Sequence, residues 1–274
     1  MSGPTWRGDA PEPVRLSAAD WGRVALRGPA LALVILLGVL LTLPLRLIER
    51  PLCGQRRPLT PLLTQAVSRL ALVILGIGLV TRGPRLSGPG ALVANHASWL
   101  DIFALNARRT VYFVSKAEVS GWPGIGTLAR LTGTVFITRD PRAAAEQKRV
   151  FEERLLHGHR LLFFPEGTST DGQRILPFKP TLFAAFFSDH LRHEMALQAV
   201  TVIWHAPAGE DPRFYGWWGD MGFGPHLLKV LASRRRGRVE LIYHPPVRVD
   251  DHPNRKTLAA HLEDEVRSVH PAGH

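Results

Sequence analysis

A histidine and an aspartate five residues apart, His96 and Asp101, follow a short apolar run at residues 91–94. A run of this length is typical of a buried strand, and Asn95 ends it. With a helix starting near Ser98, the intervening turn brings the carboxylate back onto the imidazole. A carboxylate on one ring nitrogen fixes the tautomer and leaves the other nitrogen free to take a proton. His96 is thus a candidate general base, although an isolated pair of this kind is also compatible with a structural turn.

A second chemically informative residue is Arg139, which follows the β-type run at residues 134–138. It stands immediately before a helix start marked by Asp140 and Pro141. An arginine at this point can bind a phosphate or carboxylate through two parallel hydrogen bonds, and the helix dipole adds to the attraction. Taken alone, the pattern also fits a strand followed by an exposed arginine.

A third candidate is Glu166, which emerges after the aromatic strand end at residues 163–164, with Pro165 stopping the strand pairing. Gly167 follows it. A glutamate placed by a rigid strand end, with a glycine turn whose N–H groups are free, can hold polar substrate groups or an oxyanion. The alternative is an acidic turn at the end of a strand.

The elements that must position these residues alternate between short β runs and helices. Predicted strands cover residues 91–94, 111–115, 134–138, 160–164, 198–204 and 238–243. Predicted helices cover residues 98–107, 123–131, 141–157, 179–194, 225–233 and 255–268. This alternation predicts an α/β fold with a mixed, mostly parallel sheet flanked by helices.

The N-terminal part of the chain is different in character. Residues 28–45 form an uncharged stretch between Arg27 and Arg46, and residues 59–80 read as a second apolar helix. We predict that residues 1–80 are membrane-anchoring helices and that residues 81–274 form the catalytic domain. Two core helices of a soluble protein are the alternative.

Composition narrows the class of partner. The 274 residues are 45% hydrophobic and carry a net charge of +11, a balance that suits nucleic acid, an anionic membrane surface or an acidic protein. The arginine-rich run at residues 234–238 has no interleaved aromatic residues for base stacking, which favours the membrane. Cys53 is the single cysteine, so an intrachain disulfide is excluded.

Three segments in this order resemble the motifs of the lysophospholipid (PlsC-like, 1-acyl-glycerol-3-phosphate) acyltransferase family. They are Asn-His-x-x-x-x-Asp at residues 95–101, Gly-x-x-Phe-Ile-x-Arg at 133–139 and Phe-Pro-Glu-Gly-Thr at 164–168. The fourth motif of that family would fall near residues 199–202, where Thr201 stands at a position at which proline is common.

The resemblance implies transfer of an acyl group from an acyl-carrier-protein or coenzyme A thioester to a hydroxyl of a lysolipid, without a metal or other cofactor. It implies that His96 takes the proton of the acceptor hydroxyl while Asp101 orients the imidazole. Arg139 would hold the anionic group of the acceptor. Further residues expected to contact or shape the acceptor site are Asn95, Glu166, Gly167 and Thr168.

The third motif is followed by Ser169, where an arginine is common in the family. With Trp-Trp-Gly-Asp-Met at residues 217–221, this resembles the branch that acylates lyso-ornithine lipid, whose headgroup carries a carboxylate and an amine. Asp220 would then meet the amine. Lysophosphatidate stays open as the acceptor. The resemblance also implies a location in the inner (cytoplasmic) membrane with the active site at the cytoplasmic face.

The sequence also allows three functions of other classes: a serine hydrolase, a metal-binding protein and a membrane scaffold. A serine hydrolase would use Ser98 or Ser169 with His96, but no Gly-x-Ser-x-Gly motif occurs. Metal binding by histidines at 157 and 159, or at 190 and 193, lacks supporting carboxylates or cysteines. A non-catalytic membrane scaffold is the main rival, and it predicts that His96 is dispensable.

Overall fold

A computed structural model describes residues 6–9, 16–138, 142 and 144–271. The helices in these residues are α1 (Ala18–Cys53), α2 (Thr60–Ile74), α3 (Leu100–Arg108), α4 (Ile125–Thr132), α5 (Ala144–Leu156), α6 (Phe223–Ala232) and α7 (Arg255–Val269). The strands are β1 (Ile77–Arg82), β2 (Gly90–Ala94), β3 (Tyr112–Lys116), β4 (Val135–Ile137), β5 (Leu161–Phe163), β6 (Ala196–His205), β7 (Gly237–Tyr243) and β8 (Val247–Arg248). Short 3-10 helices cover Ala117–Gly121, Pro180–Phe187 and Val249–Asp251. The predicted α/β class is confirmed.

The strands form one eight-stranded sheet in the order β1-β7-β6-β2-β5-β3-β4, with β8 paired to β6. Strands β6, β2, β5, β3 and β4 are mutually parallel, whereas β7 and β8 run antiparallel to β6. The mixed, mostly parallel sheet is therefore confirmed. Because β2, β3 and β5 run in the same direction, the residues that follow them meet at one edge of the sheet.

Both faces of the sheet are buried, as strand β2 illustrates. Ala91 and Val93 join one hydrophobic core, which α5 and α7 complete, while Leu92 and Ala94 join a second core completed by α2, α3 and α6. Burial on both faces explains why this strand reads as a continuous apolar run rather than as an alternating one.

Helix α1 begins at a capping box, in which the Ser17 hydroxyl accepts from the backbone N–H of Asp20 and the Asp20 carboxylate accepts from that of Ser17. Among the described residues, α1 is the one helix long and apolar enough to cross a membrane. Only 17% of its most apolar window is buried, whereas a core helix of a soluble protein would be mostly buried. Length, composition and exposure thus favour membrane association over the soluble alternative.

The predicted helix over residues 59–80 is wrong beyond Ile74. Helix α2 ends at Ile74, Gly76 adopts a positive φ of 71°, and the chain continues as β1. A left-handed glycine ends a helix. Strand β1 pairs in parallel with β7, so the predicted domain border between residues 80 and 81 falls inside a strand of the sheet.

The predicted helix over residues 179–194 is wrong in type. The segment is a 3-10 helix over Pro180–Phe187 followed by turns. Phe183 and Phe186 are both fully buried, and their spacing of three matches the three-residue turn of a 3-10 helix. The other predicted helices in the catalytic region, and all six predicted strands, are present. Their ends are displaced by at most two residues, except that the predicted start of α5 at Asp140 and Pro141 lies outside the described residues.

Helices α1 and α2 form a hairpin that is closed by the buried Glu49. Helix α2 has no side-chain cap at Leu59. Instead, one oxygen of Glu49 accepts the backbone N–H groups of Leu59 (2.6 Å) and Thr60 (3.0 Å), and the other accepts the Thr60 hydroxyl (2.9 Å). The negative charge also lies at the positive end of the α2 dipole. Glu49 therefore fixes how α2 starts against α1.

Replacement of Glu49 by alanine should destabilise the protein, because the two buried donors of Thr60 lose their acceptor. The expected cost is about 2 kcal/mol, which corresponds to a fall in unfolding temperature of roughly 5 °C. Thermal unfolding in detergent measures it. Glu49→Gln keeps one carbonyl acceptor and should lose less, whereas an unchanged unfolding temperature for Glu49→Ala would contradict the capping role.

Candidate active site

The predicted contact between imidazole and carboxylate is present in the turn between β2 and α3. Nδ1 of His96 lies 2.8 Å from Oδ2 of Asp101. The His96 side chain is 20% exposed, whereas that of Asp101 has no exposed surface. The turn therefore presents the imidazole to the outside and keeps its carboxylate partner wholly inside the protein.

Asp101 accepts four hydrogen bonds. Besides the His96 ring, Oδ2 accepts the backbone N–H groups of Ala97 (2.9 Å) and Ser98 (3.0 Å), and Oδ1 accepts the indole N–H of Trp204 (2.7 Å). A carboxylate in this role requires that Nδ1 of His96 donates, which assigns the ring proton to Nδ1. Nε2 is then the unprotonated nitrogen and can act as a base.

An aromatic stack holds the plane of the His96 ring. The ring of Phe164, at the end of β5, lies 3.9 Å from the imidazole with 12° between the planes. Phe113 of β3 stacks on Phe164 in turn, with centroids 6.0 Å apart. Nε2 of His96 has no hydrogen-bond partner in the described part of the chain. The His96 ring is thus fixed by one nitrogen and one ring face, and its second nitrogen stays available.

Trp204 is a site residue that the sequence analysis missed. It lies in β6, and its side chain is 5% exposed. The sequence places it in a predicted strand, but it carries no motif that connects it to Asp101. Only the neighbouring position of β2 and β6 in the sheet brings the two side chains together.

Asn95 is placed differently from the prediction that it contacts the acceptor. Its side chain is 2% exposed. Its amide donates to the carbonyl of Val202 (2.9 Å), and its oxygen accepts the N–H of the same residue (2.7 Å). These bonds continue the pairing of β2 with β6 beyond Ala94. Asn95 therefore anchors the His96 turn to the sheet.

Glu166 is also occupied within the protein, because its carboxyl group is 1% exposed and bridges two segments. One oxygen accepts the N–H of His96 (2.7 Å) and the other that of Leu176 (2.8 Å). Burial raises the pKa of Glu166 to about 8, although the two backbone N–H groups act in the opposite direction. Glu166 thus positions the His96 turn and the loop that ends near Leu176.

The glycine turn behind Glu166 adopts a left-handed conformation, with a φ of 71° at Gly167. The sequence predicted that the N–H groups of this turn are free. That of Gly167 instead donates to the carbonyl of Phe164 (3.0 Å). Thr168 and Ser169 follow and are partly exposed. The N–H of Thr170 then donates to the carbonyl of His96 (2.9 Å). The partly exposed part of this loop therefore lies beside the His96 turn.

Two further predicted acceptor contacts are Arg139 and Asp220. Arg139 lies outside the described residues. Asp220 is exposed, and its carboxylate lies 3.8 Å from the guanidinium of Arg7. Its segment nevertheless reaches the site, because the N–H of Trp217 donates to the carbonyl of Ala97 (2.8 Å).

The geometry also bears on the alternative chemistries. Ser98 has no exposed surface and its hydroxyl accepts the N–H of Leu100, so it is not available as a nucleophile. His159 is buried and accepts an N–H of Arg154. Across the described ranges, no group of three or more histidine, cysteine, aspartate or glutamate side chains could hold a metal ion.

Comparison with known proteins identifies the family to which the chain belongs. The family model described as Acyltransferase matches residues 80–202. A lyso-ornithine lipid O-acyltransferase of Rhodobacter capsulatus is 56% identical over 269 residues, which are 98% of this chain and 98% of that protein. A 1-acyl-sn-glycerol-3-phosphate acyltransferase of Neisseria meningitidis serogroup B is 42% identical and aligns with 74% of this chain and 78% of its own.

The crystal structure of the 1-acyl-sn-glycerophosphate acyltransferase of Thermotoga maritima shares the fold. Its TM-score is 0.54 at 20% identity, and the match covers 77% of this chain and 78% of that one. The family model includes all three segments that carry the motif resemblance. With 56% identity over nearly the whole of both chains, the protein belongs to the acyltransferase family and is an enzyme of that class.

Proposed function

We propose that this enzyme transfers a fatty acyl group from a thioester to the free hydroxyl of a lysolipid at a membrane surface, and that the acceptor is lyso-ornithine lipid. The observation that carries the mechanism is the His96–Asp101 pair, with Asp101 wholly buried and Nε2 of His96 unpartnered within the described residues. A non-catalytic membrane scaffold would not need an imidazole held in this way by a buried carboxylate.

In the proposed reaction, Nε2 of His96 takes the proton of the acceptor hydroxyl as its oxygen attacks the thioester carbonyl. The tetrahedral intermediate collapses, the carbon–sulfur bond breaks and a thiolate leaves. The proton on His96 then passes to the thiolate, which gives an ester and a free thiol. Asp101 stabilises the imidazolium that forms between the two proton transfers. No acyl-enzyme is needed.

The acceptor assignment rests on two kinds of support. The Rhodobacter capsulatus relative is named for lyso-ornithine lipid. In addition, Ser169 stands where an arginine would serve a phosphate, which suits the less anionic headgroup of this acceptor. Asp220, in a segment joined to the His96 turn, is suited to the amine, and Arg139 to the carboxylate. Binding of the amine to Asp220 would replace the contact with Arg7.

The membrane setting is part of the same proposal. Large apolar side chains of α1 are exposed, among them Leu36, Leu40 and Leu47, and the net charge of +11 suits an anionic surface. We place the enzyme in the inner (cytoplasmic) membrane with the active site at the cytoplasmic face. There the donor is acyl carrier protein or coenzyme A carrying the acyl thioester.

The acceptor is tested with purified enzyme in vesicles, supplied with either lyso-ornithine lipid or 1-acyl-glycerol-3-phosphate and a labelled acyl-carrier-protein or coenzyme A thioester. We expect the label to enter the ornithine lipid. His96→Gln should reduce turnover by about 10³-fold, because the general base is lost, without changing membrane association.

His193 provides a matched control for this experiment. Its Nδ1 lies 2.9 Å from Asp250, but the side chain is 67% exposed and precedes the amino end of β6. His193→Gln should therefore leave turnover unchanged. If the label entered only phosphatidate, the acceptor would be 1-acyl-glycerol-3-phosphate and the proposed acceptor would be wrong. Full turnover by His96→Gln would refute the mechanism.

Glu166→Gln should abolish a pH-dependent loss of stability. The folded protein raises the pKa of Glu166 from 4.5 to about 8 through burial. Ionisation therefore costs more in the folded than in the unfolded state, so stability is full below the unfolded pKa and falls as the pH rises towards the folded pKa.

Thermal unfolding in detergent between about pH 5 and pH 9 measures this effect, with a limiting slope of about 1.4 kcal/mol per pH unit. Native protein should lose stability relative to Glu166→Gln as the pH rises. The exposed Glu194 offers the control, since Glu194→Gln should run parallel to native protein. Parallel curves for Glu166→Gln as well would refute the buried ionisation.

A further inference from the structure

A cleft of about 640 Å³ lies between the C-terminal half of α1, the loop that follows it and the last turn of α4. Four arginines line it: Arg46, Arg50, Arg57 and Arg130. The rest of its wall consists of leucines of α1 and α4 and of Gly54 and Gln55 in the loop after α1. Arg130 is far from the other three arginines in the sequence, and only the packing of α1 against α4 brings it to the same cavity.

The cleft is separate from the active site. Arg57 donates to the carbonyl of Leu131 (3.2 Å) in the last turn of α4, and its guanidinium lies 5.9 Å from the ring of Tyr112, the first residue of β3. The cleft is therefore at the amino edge of the parallel strands. His96 follows β2 at the opposite, carboxyl edge.

Positive charge in the cleft exceeds the negative charge that the described residues place beside it. Glu49 lies 3.4 Å from Arg46, but its oxygens also accept the donors at the start of α2. Burial, and then repulsion from Arg46, lower the pKa of Arg57. A bound anion would relieve this repulsion, and arginine forks match the oxygens of a phosphate.

The apolar part of the wall points to an amphiphilic anion. Leu43, Arg46, Leu47 and Arg50 are spaced i, i+3, i+4 and i+7, which places them on one face of α1. The leucines of this stripe are exposed and adjoin the exposed apolar side chains of the preceding turns. A soluble phosphate would use the arginines alone, whereas a phospholipid places its phosphate on the arginines and its acyl chains along the leucines.

We infer that this cleft binds the headgroup of an anionic phospholipid, with the phosphate on the arginines and the acyl chains along the exposed leucines of α1. The site takes a lipid that is not the substrate, because it lies at the edge of the sheet opposite to His96. It goes beyond the proposed acyl transfer and does not depend on which acceptor is used.

The test titrates the full-length protein in detergent with fluorescent phosphatidylglycerol, and separately with phosphatidylcholine of the same chains. Arg50→Gln should weaken phosphatidylglycerol binding about fivefold, since each basic residue contributes about 1 kcal/mol. Addition of Arg130→Gln should bring the loss to about 25-fold. Arg50→Lys should retain most of the affinity.

Arg56 is the matched control, because it is exposed, lies in the loop after α1 and does not line the cleft. Arg56→Gln removes the same charge and should leave binding unchanged. Equal weakening by Arg56→Gln, or equal affinity for phosphatidylcholine, would overturn the site. Displacement of the lipid by inorganic phosphate at similar concentration would overturn the lipid assignment in favour of a phosphate site. Since turnover is not the readout, failure of the proposed acceptor would not affect this result.

Discussion

A carboxylate with no exposed surface must find a donor for each of its oxygens, and this requirement organises the site around Asp101. Its donors come from the turn that precedes α3, from the His96 ring and from Trp204 of β6. One buried group thus ties a turn, a helix and a strand together. The position and tautomer of His96, the proposed base, follow from a carboxylate that we do not expect the substrate to touch.

Two other buried polar side chains, which the sequence suggested as substrate ligands, also find their hydrogen-bond partners within the protein. Asn95 uses both ends of its amide on Val202, and Glu166 uses both oxygens on backbone N–H groups. Asn95 joins the end of β2 to β6, and Glu166 joins the segments that follow β2 and β5. Among the described motif residues, Asn95, Asp101 and Glu166 therefore form a buried set that holds the outward-facing His96. Under the proposed function, the acceptor contacts would fall to Arg139, Asp220 and the partly exposed loop after Glu166.

The sequence was sufficient to predict contacts between residues close together in the chain. It was insufficient to predict contacts that depend on the order of the strands in the sheet. The approach of Asp101 to His96 spans five residues and follows from a strand, a turn and a helix start. Trp204 could not be linked to Asp101, because only the adjacency of β2 and β6 joins them. Strand β1 was missed for the same reason. Its apolar residues continue those of α2, and its partner β7 lies far along the chain.

The central claim is that Asp101 holds the proton of His96 on Nδ1 and leaves Nε2 as the base. Nitrogen-15 chemical shifts of the histidine rings test it most directly, with the His96 signals assigned by their loss in His96→Gln. In neutral His96, the account predicts a protonated Nδ1 and an unprotonated Nε2. A protonated Nε2 with a bare Nδ1 would contradict it.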